Sequence, residues 1–502
     1  MMATPRSNIT PRQPIPPHDA AVLNERANAC LGAGDARRAI ALYRQALRHL
    51  PDHAELHYNL ANALAQDGRL APALAAYRRA LAVAPAHAGA HTNLGNLLRR
   101  LKRPDAALES YRRAVHLCPH DAAARYNLAT ALLDLHRPEE ALAWLHQAAQ
   151  GRPPHLPAFA SIGEALLRLG RAEEALSWFC RARQVRPDDL QSRFGEGLAL
   201  LTLGRLDEGW EGFEARLQDA RLRVPRADPA IPRWHAGMEP GGTTILVLAE
   251  QGAGDTIQFA RYLPLLRRRG ARVVLCAPGP LHRLLGGLAD VTIGPEDPVP
   301  RCDAQIPLLS LPHAFATTLA TIPAEIPYLH AGARQRQEWR ARIGARQGLQ
   351  VGLAWSGNPD HEMDRHRSIR LADLAPLLAV PGVTFHALQT MIRRQDAAEM
   401  RRATQLRNHA AALHDFADTA AILAAMDLVI SVDTSIAHLA GAMGRPLWVL
   451  VPYAADFRWM RARTDSPWYP TARLWRQPRP GDWRSPIAQI AAALLRFRPA
   501  RD

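Results

Sequence analysis

Cysteine is scarce in the 502-residue chain: Cys30, Cys118, Cys180, Cys276 and Cys302 are odd in number, widely spaced and without a CxxC pair. That excludes a disulfide framework and a thiolate zinc site, and makes a reducing, cytoplasmic setting the expectation. No interior run approaches the ~18 uninterrupted apolar residues of a membrane span, so no integral membrane segment is expected. Residues 1–19 are rich in proline and have no apolar stretch of the secretory kind, and read as a disordered leader. The formal charge of +15 comes without a long basic block or a basic motif interleaved with aromatics. Arginines spread over solvated helix faces account for it, and no nucleic-acid partner is expected.

What the chain does have is a repeat. Small residues recur every 34 positions at Ala27, Ala61, Gly95, Ala129, Gly163 and Gly197. A second small column runs through Ala39, Ala73, Ala107, Ala141, Ala175 and Gly209, and a bulky one through Tyr43, Tyr77, Tyr111, Leu145, Phe179 and Phe213. An alanine column (Ala46, Ala80, Ala114, Ala148, Ala182) and a proline column (Pro51, Pro85, Pro119, Pro153, Pro187) complete five units; the sixth puts Arg216 and Arg221 in those places, as a divergent cap. Helices cross closely only where side chains are small, the ring fills the space between units, and proline ends the second helix. Gly34, Gly68, Gly170 and Gly204 fall in the turns between paired helices.

Across residues 20–221 these columns resemble the tetratricopeptide repeat family, which implies an α-solenoid whose concave face receives a protein or peptide partner. Asn59, Asn93 and Asn127 share one repeat position. Such a ladder offers a donor and an acceptor at intervals to an extended peptide, and serves equally well to solvate or cap the first helix of each unit. The O-linked N-acetylglucosamine transferase family has a similar ladder; units one and five depart from it with Glu25 and Ser161.

Residues 222–242, dense in proline and glycine, break the phase and mark a linker. From Thr244 the pattern changes to short β-rich runs (TILVLA, RVVLCA, VGLAW, VTFHAL, DLVISV, PLWVLV) separated by helical stretches. Parallel α/β layers in two Rossmann-like lobes are predicted, over 243–333 and 349–502, with 334–348 connecting them and a final helix after Ser485.

Ligands of open α/β sheets sit beyond the carboxyl ends of strands, which directs attention to three loops. After TILVLA, Gly252 and Gly254 permit a tight turn, Asp255 starts a helix, and Gln258 follows in the same segment. After DLVISV, Asp433, Thr434 and Ser435 open a helix with His438 one turn on; free N–H groups and a positive dipole end suit a diphosphate there. After VGLAW, Ser356, Gly357 and Asn358 are candidates to approach phosphate or ribose, and Arg365 or Arg367 to supply positive charge; Gln389, after VTFHAL, is a candidate contact to the donor base.

At the first two loops the sequence resembles the heptosyltransferase family and, in overall layout, O-linked N-acetylglucosamine transferase. The resemblance implies a GT-B fold in which the first lobe takes the acceptor and the second a nucleoside-diphosphate sugar, as co-substrate, with no other cofactor. It further implies an inverting hexosyl or heptosyl transfer without a catalytic metal. It makes Asp255 the general base and Asp433, Thr434, Ser435 and His438 the donor-phosphate motif. Related loops place a lysine where this chain has Glu362, which keeps open a second expectation, a repeat scaffold with a non-catalytic nucleotide-binding lobe. Each residue also has a plainer role available: Asp255 as a helix cap, His438 as an interior histidine. The aromatic run from Pro452 to Trp483 is expected to pack between lobes rather than stack on sugar.

Overall fold

The computed structural model describes residues 17–151, 154–219, 228–361 and 363–499. Most of the leader, Pro153, Arg221, part of the linker and Glu362 lie outside the described residues, and the readings that rest on them end there. The chain forms two compact units, Met1–Leu166 and Leu167–Asp502. The division falls within the fifth repeat, so the sixth repeat belongs to the second unit together with the α/β half.

The first unit is a run of helix pairs: Pro17–Gly32 with Ala36–His49, Ala54–Gln66 with Leu70–Val83, Ala88–Arg100 with Pro104–Leu117, and Ala122–Asp134 with Pro138–Ala149. The small columns are where the helices touch. Ala27, Ala39, Ala61 and Ala73 have no exposed surface, and a Cβ built on Gly95 would lie 2.5 Å from the Tyr111 ring. Each turn needs a left-handed residue. Gly34 and Gly68 supply it with φ of 83° and 79°, and Lys102 and His136 adopt φ of 55° and 54° in the third and fourth repeats, which lack glycine there. The buried phenols of the bulky column each find an amide acceptor one helix back. Tyr43 donates to Asn28 (2.5 Å), Tyr77 to Asn62 (2.5 Å) and Tyr111 to Asn96 (2.7 Å). Burial pushes the Tyr43 and Tyr111 phenols up to about 12.

The second unit opens with the helices Ala172–Val185, Leu190–Thr202 and Leu206–Phe213 and the short helix Glu214–Gln218. Two parallel sheets follow. The first comprises β1 (Thr244–Leu248), β2 (Arg272–Cys276), β3 (Val291–Ile293) and β4 (Ala304–Pro307) in the order β3-β2-β1-β4. The second comprises β5 (Leu349–Ala354), β6 (Val383–Ala387), β7 (Leu406–Asn408), β8 (Leu428–Val432), β9 (Leu447–Val451) and β10 (Ala472–Arg476) in the order β10-β9-β8-β5-β6-β7. Both faces of the second sheet are covered by helices, Phe416–Leu423 and Ser435–Ala442 on one side and Arg484–Leu494 on the other, which is why β8 and β9 read as unbroken apolar runs, buried at every position. One apolar core joins the lobes, with Val247, Phe259 and Leu263 of the first in the same cluster as Leu439, Trp459 and Tyr469 of the second. The architecture is the expected one: a helical repeat array, then paired Rossmann-like lobes in a GT-B-like layout.

The strand orders place the site. Strand order reverses between β1 and β4 in one sheet and between β5 and β8 in the other, and a crevice opens beyond the carboxyl ends at such switch points. The three loops singled out in the sequence follow β1, β5 and β8.

Candidate functional site

The loops after β1, β5 and β8 line one cavity of about 1220 Å³. Gln251, with φ of 60°, turns the chain after β1, and Gly252 caps the helix Ala253–Phe259. Asp255, at the third position of that helix, accepts the Gly252 N–H at 2.9 Å on one oxygen and pairs with Arg458 through the other. The capping role and a place in the cavity therefore coexist in one carboxylate. Gly254 is required by what faces it: a Cβ there would lie 2.9 Å from His438 Cδ2 and 3.4 Å from Ser435 Cα. The two helix starts meet at this glycine.

Thr434 stands at the N-cap of the helix Ser435–Ala442 but makes no side-chain cap bond; its hydroxyl lies 3.1 Å from Ser431 Oγ. Ser435, Asp433 and His438 also line the cavity. His438 is buried, with Nδ1 3.0 Å from the Tyr469 hydroxyl, Nε2 3.9 Å from Asp433 Oδ1 and its face stacked on Trp459 at 5.3 Å. Burial, and then the positive charges of Arg458, Arg261 and Arg367, pull its pKa down to about 3, so the ring is neutral at pH 7. Asp433 moves the other way: burial and then the Asp456 carboxylate raise it to about 6, against Arg367 and Arg458. For Asp456 itself, burial is overcome by the Arg458 charge and by hydrogen bonds from Arg458, leaving its pKa lowered.

Arg458, which the sequence did not announce, is the hub. It is 6% exposed, donates to Asp456 at 2.8 Å as well as to Asp255, and lies over the Phe457 ring at 4.4 Å. Among aromatic residues of its loop, Trp459, Trp468 and Tyr469 are buried in the core joining the lobes, while Tyr453 is 40% exposed and lines the cavity. Packing is thus the role of most of this run. Two hundred residues separate Asp255 from Arg458 in the chain, and no local spacing marks such a pair.

The β5 loop is held from behind. Gly357 N–H donates to Ser368 Oγ at 3.0 Å, Ser368 to Asp364 at 2.8 Å, and Arg393 to Asp364 at 2.6 Å and to the Gly357 carbonyl at 2.9 Å. Ser356, Gly357, Asn358 and Arg367 line the cavity, with the Asn358 amide oxygen taken by the Asp360 N–H at 3.1 Å. Gln389 lines it too, but its amide works within the protein. It accepts from Trp355 N–H (2.8 Å) and Ser356 N–H (3.0 Å) and donates to Ser356 Oγ (2.7 Å), which makes it a brace for the loop rather than the free base contact anticipated. Gln258 departs further: it is completely buried and outside the cavity lining, because that helix position faces the core beside Ile257 and Phe259. His361 joins the lining without having been anticipated, its pKa lowered by burial and by Arg367. The chain has a single lysine, Lys102, so the cations at this cleft are arginines.

In the repeats, the asparagine ladder is partly spoken for. Asn59 donates to Asn24 Oδ1 at 3.3 Å, and Asn93 donates to the Tyr58 hydroxyl (3.0 Å) and Asn62 Oδ1 (2.9 Å). These amide donors tie each unit to its predecessor; Asn127 occupies the same position, half-buried.

Known families match the repeats and the α/β half separately. The tetratricopeptide repeat family matches residues 24–88 and 91–212, and glycosyltransferase family 9 (heptosyltransferase) matches residues 386–454. The latter stretch contains Gln389 and Asp433 to His438, but not Asp255 or the β5 loop. The N-terminal region is thus a tetratricopeptide-repeat array, joined to an α/β half that carries a glycosyltransferase family 9 segment. Protein FlbA of Caulobacter vibrioides is 27% identical over 322 residues, covering 58% of this chain and 52% of that protein. The chain accordingly spans about half the length of that curated relative. The crystal structure of YrrB, described as a TPR protein with an unusual peptide-binding site, is 26% identical and covers 35% of this chain and 90% of its own, with a TM-score of 0.32. MamA from Desulfovibrio magneticus RS-1 is 23% identical over 34% of this chain and 97% of its own, with a TM-score of 0.32.

Among the described residues no helix is long and apolar enough to cross a membrane.

Proposed function

We propose that the chain is a glycosyltransferase that moves a hexose or heptose from a nucleoside-diphosphate donor to a hydroxyl acceptor, with inversion and without a metal. The observation that carries the reading is the meeting, at Gly254, of the Asp255 turn with the amino end of the helix Ser435–Ala442, across a cavity wide enough for a nucleotide sugar. In the reaction the acceptor O–H gives its proton to Asp255, the acceptor oxygen bonds to the anomeric carbon, and the bond from that carbon to the diphosphate breaks. The electron pair leaves with the diphosphate. The amide N–H groups at Ser435 and its neighbours, with Arg367, offset the charge that develops there; one such donor is commonly worth ~3 kcal/mol of barrier. His438, neutral, donates or accepts a hydrogen bond without adding charge. The repeats recruit a protein or peptide partner, and the acceptor is a protein or a glycan.

A second reading, a scaffold with a silent nucleotide-binding half, draws on the double engagement of Asp255 by Gly252 and Arg458. The full-length protein incubated with a panel of nucleoside-diphosphate sugars separates the two. Release of nucleoside diphosphate from one donor supports transfer; binding without release supports the scaffold, and no binding at all removes both.

A further inference from the structure

The alanine column of the repeats is broken once, at Arg216, and the reason for the break lies outside the repeats. Arg216 is 1% exposed and reaches out of the sixth unit to the carboxyl end of β1. Its Nη2 donates to Glu250 Oε1 at 2.8 Å and its Nε to Glu250 Oε2 at 3.2 Å, a two-pronged pair, while Nη2 also lies 2.9 Å from Ser310 Oγ. Glu250 in turn accepts the Leu309 N–H at 3.1 Å, just past β4. It therefore spans the switch point of the first sheet and immediately precedes the Gln251 turn that delivers Asp255.

The same repeat grips the other half of the pair. Trp210, anchored by its own N–H to the Thr317 carbonyl at 2.8 Å, meets Phe457 edge to face at 6.1 Å, and Phe213 lies 5.7 Å from Phe457. Phe457 precedes Arg458. Met460 and Ala462, a little further along that loop, hold φ of 50° and 57°, a backbone that needs outside support. One helical unit thus fixes both loops that present Asp255 and Arg458 to each other.

We infer that the sixth repeat is part of the catalytic apparatus, with Arg216 the positioning residue that holds Glu250 and the Asp255 turn in register with Arg458. This rests on the transferase reading for its consequence in turnover, but not for its consequence in structure. Burying a guanidinium in place of alanine is costly unless hydrogen bonds and a countercharge meet it, and here Glu250, from outside the repeats, supplies both.

The test is the full-length double variant Arg216→Met/Glu250→Gln, which removes both charges and leaves neither buried alone. Amide hydrogen exchange read by mass spectrometry should quicken at least tenfold over residues 250–259, with residues 36–149 unchanged. With the donor found active in the panel, kcat should fall at least tenfold while the donor KM moves less than threefold, because the donor is held by the β5 and β8 loops. Arg216→Lys, which keeps one prong, should fall between. A folded double variant with unaltered exchange over 250–259, or with quickened exchange and full kcat, overturns the inference. If the double variant does not fold, Glu250→Gln takes its place, since Arg216 keeps Glu214 at 2.6 Å as partner. If the wild-type chain turns over no donor, the transferase reading falls and the exchange result alone decides this one.

Discussion

Lowering the pH from 7 to 5 should destabilise the α/β half by about 3 kcal/mol, and the sign follows from three buried groups. His386 is completely buried between Gln350 Oε1 (2.9 Å) and His409 Nε2 (2.9 Å), and burial, then His409 and Arg407, pull its pKa to about 3. His438 sits at about 3 as well, for reasons of burial first and surrounding arginines second. Both stay neutral in the folded chain, while an unfolded histidine takes up a proton below its ordinary value near 6.5. Below that value the unfolded state binds more protons, so stability is full above about pH 6.5 and is lost as pH falls toward 3. At pH 5 each histidine costs about 2 kcal/mol at 1.36 kcal/mol per unit. Asp433 works in the opposite direction. Its folded pKa, raised to about 6, penalises the folded state at neutral pH, and protonation on acidification returns about 1 kcal/mol. His409, lowered by burial and by Arg407, adds to the loss. Urea unfolding followed by tryptophan fluorescence at pH 7, 6 and 5 measures the slope, and His386→Gln should remove about 2 kcal/mol of it. Equal stability at pH 7 and 5, or an unchanged slope in that variant, would refute the burial argument.

The site offers further tests. Gly254→Ala should force the two helix starts apart, because the new methyl would lie 2.9 Å from His438 Cδ2; an overpacking cost of ~1–3 kcal/mol in thermal unfolding and at least a tenfold loss of turnover are expected. Because a diphosphate beside Asp433 adds negative charge to a carboxyl already raised to about 6 by burial and by Asp456, nucleotide binding should take up a proton. The Kd of the nucleoside diphosphate should then tighten by up to tenfold per unit between pH 8 and 6, and calorimetry in two buffers reads the proton directly. In the repeats, Asn62→Ala removes the acceptor of both Tyr77 (2.5 Å) and Asn93 (2.9 Å), and should cost ~1–3 kcal/mol by denaturant unfolding, against no change for an exposed asparagine.

The repeats were legible because one physical requirement recurs at a fixed interval, and six copies of it outweigh any local noise. The turn position needs positive φ in every unit, for instance, so Lys102 and His136 obey it without glycine. The strands with long apolar runs were equally plain. β3 (Val291–Ile293), β4, β7 (Leu406–Asn408) and β10 were not: three or four residues carry no period, and arginines near both ends interrupt the apolar run of β10. In the site, what could be read was each loop's own chemistry: a glycine-flanked aspartate, a Thr-Ser helix start. What could not be read was what faces what. Arg458 comes to Asp255 from the far lobe, Gln389 turns its amide on Ser356, and Arg216 looked only like a lapse in a column until its partner Glu250 was in place.

The central claim is that Asp255 takes the acceptor proton while the helix start at Ser435 holds the diphosphate. Comparing wild type with Asp255→Asn, on one active donor, tests it most directly, by measuring kcat and nucleoside-diphosphate Kd side by side. The account predicts a loss of at least a hundredfold in kcat with Kd within threefold. An Asp255→Asn protein that turns over as fast as wild type would contradict it.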